Sequence, residues 1–272
     1  MITNISQRTN EQGKQKFIVP GNCFIPRLHE IARIHKETAK RFVLKCHYSG
    51  TMPAARRNFG LFRQGKLVGV AVFSHPVNDR TLTNAFGGKA NESLELGRFC
   101  LLDEVEFNAE SWFIGVCRNR LKQEGFRGVV AFSDDLARTN IKGETVFSGH
   151  IGTIYAASNA IYNGRAKQTK IRLLPDGKVL SNRAISKIRN LESGWDYSAA
   201  ILEKFGANPM PFYKPDRHLW LNYWLKQLTR KIHHPGNHRY LIPLQKGLKL
   251  PESLPYPKVK FLSGQNLLLL KA

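Results

Sequence analysis

Residues able to carry chemistry concentrate in one stretch, Gly149 to Gly164 (GHIGTIYAASNAIYNG), which packs glycines, aromatics and small polar side chains together. Its positions Ile151, Ile154, Tyr155, Ser158, Ala160 and Tyr162 recur with a helical period, and Gly164 stands where a left-handed residue would end a helix. On such a helix Tyr155, Asn159 and Tyr162 fall at i, i+4 and i+7, so two phenols and an amide line one face. Phenols so placed either pass protons or sit half-buried with their hydroxyls on carbonyls, and spacing alone leaves both readings open. His47 and Tyr48 lie where an earlier helix ends, because Gly50 and Pro53 turn the chain away. There the imidazole meets a ligand or caps the helix's negative end. Asp134 follows the apolar strand Gly128 to Phe132. A carboxylate at a strand end faces the crevice of an open α/β sheet, as a base or metal ligand, or else caps the next helix. Arg98, on the strand Leu94 to Leu102, holds an anionic or carbonyl group of a ligand or pairs with Glu95 or Asp103.

Placing these groups requires a particular order of elements. Residues 27 to 44 read as an amphipathic helix through Leu28, Ile31, Ile34, Ala39, Phe42 and Val43. Phe59 to Ser74 is a β-hairpin divided at Gln-Gly-Lys, followed by a polar loop from Asn78 to Asn91. The strand Leu94 to Leu102, a helix from Ser111 to Lys122 and the strand Gly128 to Phe132 come next, then an insertion from Leu136 to Ser148. Ile171 to Leu180 makes a second tight turn at Pro-Asp-Gly. This order gives an α/β fold with a mixed sheet flanked by helices, and it resembles the GCN5-related N-acetyltransferases (GNAT), whose central strand splays to admit an acyl thioester. The loop after Leu102, DEVEFNAES, carries four acids and no glycine, where a pyrophosphate cradle would need bare amides. Acyl-coenzyme A is therefore a doubtful cofactor.

The charge balance names a partner. Forty-two Lys and Arg against twenty Asp and Glu give a formal net charge of +22, of the sign that seeks a polyanion, and 42% hydrophobic content argues for a real core. Neither a run of eighteen apolar residues nor a signal peptide is present, so a membrane is not expected and a cytoplasmic location is. Cys23, Cys46, Cys100 and Cys117 are scattered, which points to buried thiols in a reducing compartment. Eight basic residues and one acid lie between Arg165 and Arg189, and Arg165, Lys167, Lys170, Arg172, Arg183, Lys187 and Arg189 are the expected contacts to the phosphates of double-stranded DNA. Farther on, Trp220, Tyr223 and Trp224 at helical spacing read as a packed face, or as a stacking surface among positive charges. His233, His234 and His238 are set aside as a metal site, because Pro235 and Gly236 break any helix between them. Residues 1–15 read as a loose tail, 16–190 as the catalytic domain, and 191–272 as a basic extension packed on it, with an extended strap from Pro251 to Pro257.

A narrower resemblance rests on His47-Tyr48-Ser49, ELGRF at Glu95 to Phe99, Glu110-Ser111 before an apolar run, FSDD at Phe132 to Asp135, and the glycine-tyrosine block. In this order they resemble the Mom family of phage Mu and its relatives. The resemblance implies an atypical acyltransferase-like fold and an enzyme that converts adenine in phage DNA to a carbamoylmethyl derivative, protecting it from host restriction. It marks His47, Tyr48, Arg98, Ser111, Asp134 and Tyr155 as catalytic and leaves the donor open. It also brings a suggestion of iron, for which His47, Asp134 and Tyr155, with Tyr48, form a hard nitrogen-oxygen donor set. Two other functions fit the composition, an ordinary N-acetyltransferase acting on a small amine or peptide and a non-catalytic basic DNA-binding protein.

Overall fold

A computed structural model describes residues 24–258 and the backbone of 6–9 and 15–18. Within the expected tail, Ser6–Thr9 (β1) pairs antiparallel with Gln15–Ile18 (β2), while residues 1–5 and 10–14 of that tail lie outside the described residues. The chain continues through His29–Arg33 (β3), Lys36–Cys46 (α1), Ala55–Arg63 (β4), Lys66–Ser74 (β5), Arg80–Phe86 (α2), Leu94–Leu101 (β6), Ala109–Gln123 (α3) and Gly128–Ser133 (β7). Next come Arg138–Thr139 (β8), Thr145–Phe147 (β9), Thr153–Ala157 (α4), Ile161–Arg165 (β10), Thr169–Leu173 (β11) and Val179–Leu180 (β12). The last elements are Asn182–Asn190 (α5), Trp195–Glu203 (α6), Lys214–Leu228 (α7), Arg230–His234 (β13) and His238–Pro243 (β14).

Seven strands form the main sheet in the order β10-β14-β7-β6-β5-β4-β3. All neighbours are antiparallel except β6 and β7, which run parallel through only three pairs, Leu94 with Val129, Glu95 with Val130 and Leu96 with Ala131. Beyond Leu96 the two strands part, so β6 from Gly97 onward keeps β5 alone as a paired strand, and Arg98 stands just past the parting. Both faces of the sheet are covered, which explains the unbroken apolar run of β5. On one face Phe113, Ile114, Cys117 and Leu121 of α3 pack over Leu94, Leu96 and Ala131. On the other, Ala39 and Val43 of α1 lie on Val70 and Val72, and Leu82 and Phe86 of α2 lie on Val130 and Leu241.

Three expectations are corrected here. The helix expected over 27–44 begins only at Lys36, because residues 29–33 pair with β4 as an edge strand. The spacing of Leu28, Ile31 and Ile34 imitates a helical stripe, yet Leu28 is 45% exposed and only Ile31 of the strand is buried. The polar loop from 78 to 91 contains α2, whose two apolar anchors were too few to declare a helix. Most consequential, the helix expected from 149 to 164 is one short helix, α4, and ends at Ser158. Asn159 then takes a φ of +55°, and the chain enters β10, where Tyr162 pairs with Tyr240. Tyr155 and Tyr162 therefore never share a helix face, and Gly164, at φ +73°, serves a bulge in the β10–β14 pairing instead of a helix end.

Residues 166–237 leave the sheet between two of its adjacent strands, β10 and β14, and form a module of their own. There β12-β11-β13 make a small sheet, and α5, α6 and α7 bury Ile185, Ile188, Ala199, Leu202, Leu221 and Leu225 together. The division expected at residue 190 cuts through this core, since the apolar face of α5 is covered by α6 and α7 from the far side. The segment expected to be a peripheral extension also returns a strand, β14, to the interior of the main sheet. Trp220 is packed, donating from Nε1 to the Asn208 carbonyl at 2.9 Å, whereas Tyr223 is 57% exposed. The strap 251–257 runs along the free edge of β10, with the Leu254 amide on the Tyr162 carbonyl at 2.9 Å.

The turn between β13 and β14 has no room for a side chain at Gly236. Its φ is +92°, and a Cβ there would stand 1.9 Å from the Ala166 carbonyl oxygen. Gly236→Ala combines backbone strain with overpacking and should cost about 2–4 kcal/mol in urea unfolding, while Gly125→Ala, whose Cβ meets nothing, should cost less.

Candidate active site

Four of the expected residues come together beside the parting of β6 and β7, from three elements. The backbone turns after α1, with the Gly50 amide on the His47 carbonyl at 2.9 Å, and this leaves His47 and Tyr48 at the helix exit. The His47 Nδ1 accepts from the Ser49 amide at 3.1 Å and lies 2.9 Å from the Ser49 hydroxyl, so the ring proton resides on Nε2. Burial, together with the positive charge of Arg98, holds this imidazole well below the ordinary histidine pKa. Arg98 stands on β6 just beyond the point where β7 leaves it. It donates from Nε to the Thr51 carbonyl at 2.8 Å, from Nη2 to the Thr51 hydroxyl at 2.6 Å and from Nη1 to the Gly97 carbonyl at 2.5 Å. These bonds fix the guanidinium plane beside the parting. Tyr155 comes from α4 and is 4% exposed, its ring 5.1 Å from that of Tyr240. Burial, and after it the nearby Tyr48, Tyr240 and Glu95, push its phenol above the usual tyrosine range, so it is a proton-bearing group.

Glu95 belongs to the same site and was passed over in the sequence, where it reads only as a partner for Arg98. It lies in the short parallel pairing of β6 with β7, and burial raises its carboxyl above the ordinary value despite Arg98 and His75. A carboxyl raised in this way is a stronger proton acceptor than an ordinary glutamate.

The insertion 136–148 folds as the β8–β9 hairpin and supplies two unexpected members, Arg138 and Phe147. Phe147 stacks on Tyr48 with ring centroids 4.3 Å apart, and Tyr48 lies 4.2 Å from the His47 ring. The Arg138 guanidinium also lies over the Phe147 ring, 4.4 Å from its centroid. His150 stands edge-on to both Tyr48 and Phe147, at 6.2 and 6.1 Å.

Asp134 occupies the strand end as expected, but its oxygens are already engaged. One accepts from the Leu136 amide and from His234 Nε2, each at 3.0 Å, and the other pairs with Arg138. The Gly236 amide donates to His234 Nδ1 at 3.0 Å and so fixes the proton on Nε2. Asp135 is held in the same way by Arg165 at 2.9 and 2.5 Å and by His238 Nε2 at 3.2 Å, while His238 Nδ1 receives the Tyr162 hydroxyl at 2.8 Å. Burial alone would raise Asp135, but the bonds and charges of Arg165 and His238 bring it below the usual carboxylate range. The histidines set aside because Pro235-Gly236 breaks a helix are thus delivered by a strand-turn-strand, a geometry that a helical test could not detect.

These contacts do not fit iron. Asp134 is saturated by donors, His47 Nδ1 accepts from the protein, and Tyr155 keeps its proton. Among the described residues no group of three or more His, Cys, Asp or Glu side chains is placed to hold a metal ion. Ser111 is not brought to the group either; its hydroxyl donates to the Asn108 carbonyl at 3.2 Å in the first turn of α3.

The expected DNA contacts divide. Arg165 is committed to Asp135, and Arg172 donates to the Leu225 carbonyl and the Thr229 hydroxyl at the end of α7, so both hold the protein itself together. Arg183 pairs with Glu192. Lys167, Lys170 and Arg189 are exposed and Lys187 half-buried.

A mixed sheet with helices on both faces, whose one parallel pair parts beside a buried tyrosine, defines an acyltransferase-like α/β protein. The model of the Mom protein family matches residues 29–260, and the chain belongs to that family. No curated protein matches it in sequence. Among solved structures it is similar to a tandem GNAT protein from the clavulanic acid biosynthesis pathway, with TM-score 0.40 and 8% identity over 80% of this chain and 99% of that one. It is also similar to an N-acetyltransferase from Staphylococcus aureus Mu50, with TM-score 0.35 and 8% identity over 79% of this chain and 97% of the other.

Two expectations follow from the geometry. Asp134→Asn leaves the Arg138 guanidinium, only 8% exposed, without its counter-charge, so chemical denaturation should register a loss of about 3 kcal/mol. An unchanged unfolding midpoint would mean that the pair contributes nothing. The second concerns pH. Burial, then His238 and Arg138, lower His150 to about 4. Its unfolded value is about 6.5, so the unfolded chain binds the extra proton as pH falls, and stability present above 6.5 is lost toward 4. Because the ring keeps some exposure, the wild type should lose about 1–2 kcal/mol more than His150→Phe between pH 7 and 4.5, read by urea unfolding at each pH.

Proposed function

We propose that this protein is a DNA-modifying transferase that converts the exocyclic N6 of adenine to a carbamoylmethyl derivative, acting in the host-cell cytoplasm to protect phage DNA from restriction. The observation that carries the proposal is convergence. His47 and Tyr48, Arg98 and Tyr155 come from three separate family blocks and meet where β6 and β7 part. The N6 lone pair of adenine is delocalised into the ring, so its attack needs a proton acceptor close to the amine. Glu95, raised by burial, is that acceptor, and the protonated Tyr155 is the donor for charge that develops on the other reactant. Arg98 spends three of its N–H groups on Thr51 and Gly97, leaving others to orient a carbonyl.

The substrate is double-stranded DNA, drawn by the net charge of +22 and by the exposed Lys167, Lys170 and Arg189. A stacked base is out of reach, so the adenine is turned out of the duplex into the site beside the strand parting. Coenzyme A is disfavoured as the donor, because the loop after β6 is acidic and already neutralised from within. Glu104 pairs with Lys66 at 2.9 Å, and Glu106 pairs with Arg63 at 3.1 Å.

Nucleosides from the DNA of cells producing the protein should contain carbamoylmethyladenine by mass spectrometry. Tyr155→Phe should remove it while changing stability by less than about 1 kcal/mol, since the hydroxyl alone is lost. DNA that stays unmodified with the wild type, or saturable binding of coenzyme A, would point to an ordinary N-acetyltransferase and sink the proposal.

A further inference from the structure

Phe147 is 3% exposed, yet among the described residues it belongs to none of the four apolar core clusters. Its neighbours are Tyr48, His150 and the Arg138 guanidinium, which meet its faces and edge at 4.3, 6.1 and 4.4 Å. A phenylalanine buried among flat polar groups sits where a planar heterocycle would. The arrangement around it matches what an extruded base needs, namely an aromatic face and a guanidinium to stack on. His47, with its proton on Nε2, and His150 offer polar edges beside the same stack.

The segment that carries Phe147 is a minimal hairpin. Its strands, β8 and β9, are two and three residues long, and the turn between them is exposed, with Ile141 at 75%. One ion pair, Arg138 with Asp134, ties it to the end of β7, and its other attachments lie on the module. The Ile141 amide bonds the Pro175 carbonyl at 3.0 Å, and Arg230 donates to the Thr139 carbonyl at 2.7 Å. We infer that the face of Tyr48 is the platform on which the extruded base is held, and that Phe147 is its stand-in, occupying the platform until the base replaces it. This inference rests on the reading of DNA as the substrate and deepens it by naming the base-holding surface and the residue that competes for it.

The test uses the full chain and a single-stranded oligonucleotide carrying one 2-aminopurine, whose fluorescence falls when the base stacks on an aromatic ring. Wild-type protein should quench it. Tyr48→Leu should remove most of the quenching, while anisotropy of a labelled oligonucleotide shows affinity within about threefold of wild type, because phosphate contacts dominate it. Phe147→Ala should reach half-maximal quenching at about a five- to tenfold lower concentration, since the competitor is gone. Should that variant fail to fold, Phe147→Leu, checked by thermal melting, keeps apolar volume without a ring and carries the same expectation. Full quenching by Tyr48→Leu, or quenching by the Phe147 variants that is equal to or weaker than wild type, would overturn the inference. Quenching that behaves as expected in a protein whose DNA stays unmodified would overturn the proposed activity and leave the platform standing; modified DNA without quenching would do the reverse.

Discussion

Two adjacent carboxylates at the end of β7, Asp134 and Asp135, are the constraint around which the rest of the molecule is arranged. Side-by-side anions in a partly dry site repel each other and lose hydration, so each needs its own compensation. Each receives one arginine and one histidine. Asp134 takes Arg138 from the insertion and His234 from the module, and Asp135 takes Arg165 from β10 and His238 from β14. The insertion, β10 and the β13–β14 turn are thereby tied to one strand end. The hairpin that carries Phe147 is held in place by the same ion pair that satisfies Asp134.

That arrangement divides labour between neighbours. The carboxylates are structural charges, saturated and fixed, and the titratable groups free to exchange protons lie beside the parting of β6 and β7. Burial shifts Glu95 upward against the charges of Arg98 and His75, while Tyr155 is held protonated and His47 neutral first by burial and then by the surrounding charges. An acid and a base whose environments move them apart in this way suit a site that must take a proton from one atom and give one to another.

The sequence was most legible where composition and element type agree. The hairpin of β4 and β5, the strands β6 and β7 and the helix α3 stand close to where their apolar runs place them, because each is buried on a face that its pattern declares. His47, Tyr48, Arg98 and Tyr155 were legible through family blocks, and their convergence is a matter of strand parting, which no local pattern encodes. Tyr162 was misplaced because Ile161 and Tyr162 satisfy a helical period and a strand equally, and the pairing partner that decides, β14, lies more than seventy residues away. His234 and His238 were invisible for a related reason. Their side chains converge only after the chain has crossed the module and come back, and a short turn through Gly236 lets both reach the strand end.

The return of β14 has a consequence for how the chain reaches its native state. β10 and β14 are hydrogen-bonded neighbours, as in a hairpin, but 166–237 intervene. Chain-closure scaling makes such a junction about 2–3 kcal/mol harder to form than one with a tight turn, and slower, if the intervening residues are unfolded. The module removes that penalty by bringing its own ends together: the Ala166 amide donates to the Asn237 carbonyl at 2.8 Å. Once collapsed, it acts as a seventy-residue turn. During synthesis β7 emerges long before β14 and must keep an unsatisfied edge until the module has folded, so the order of assembly is written into the order of the chain, with the module finished before the main sheet can close.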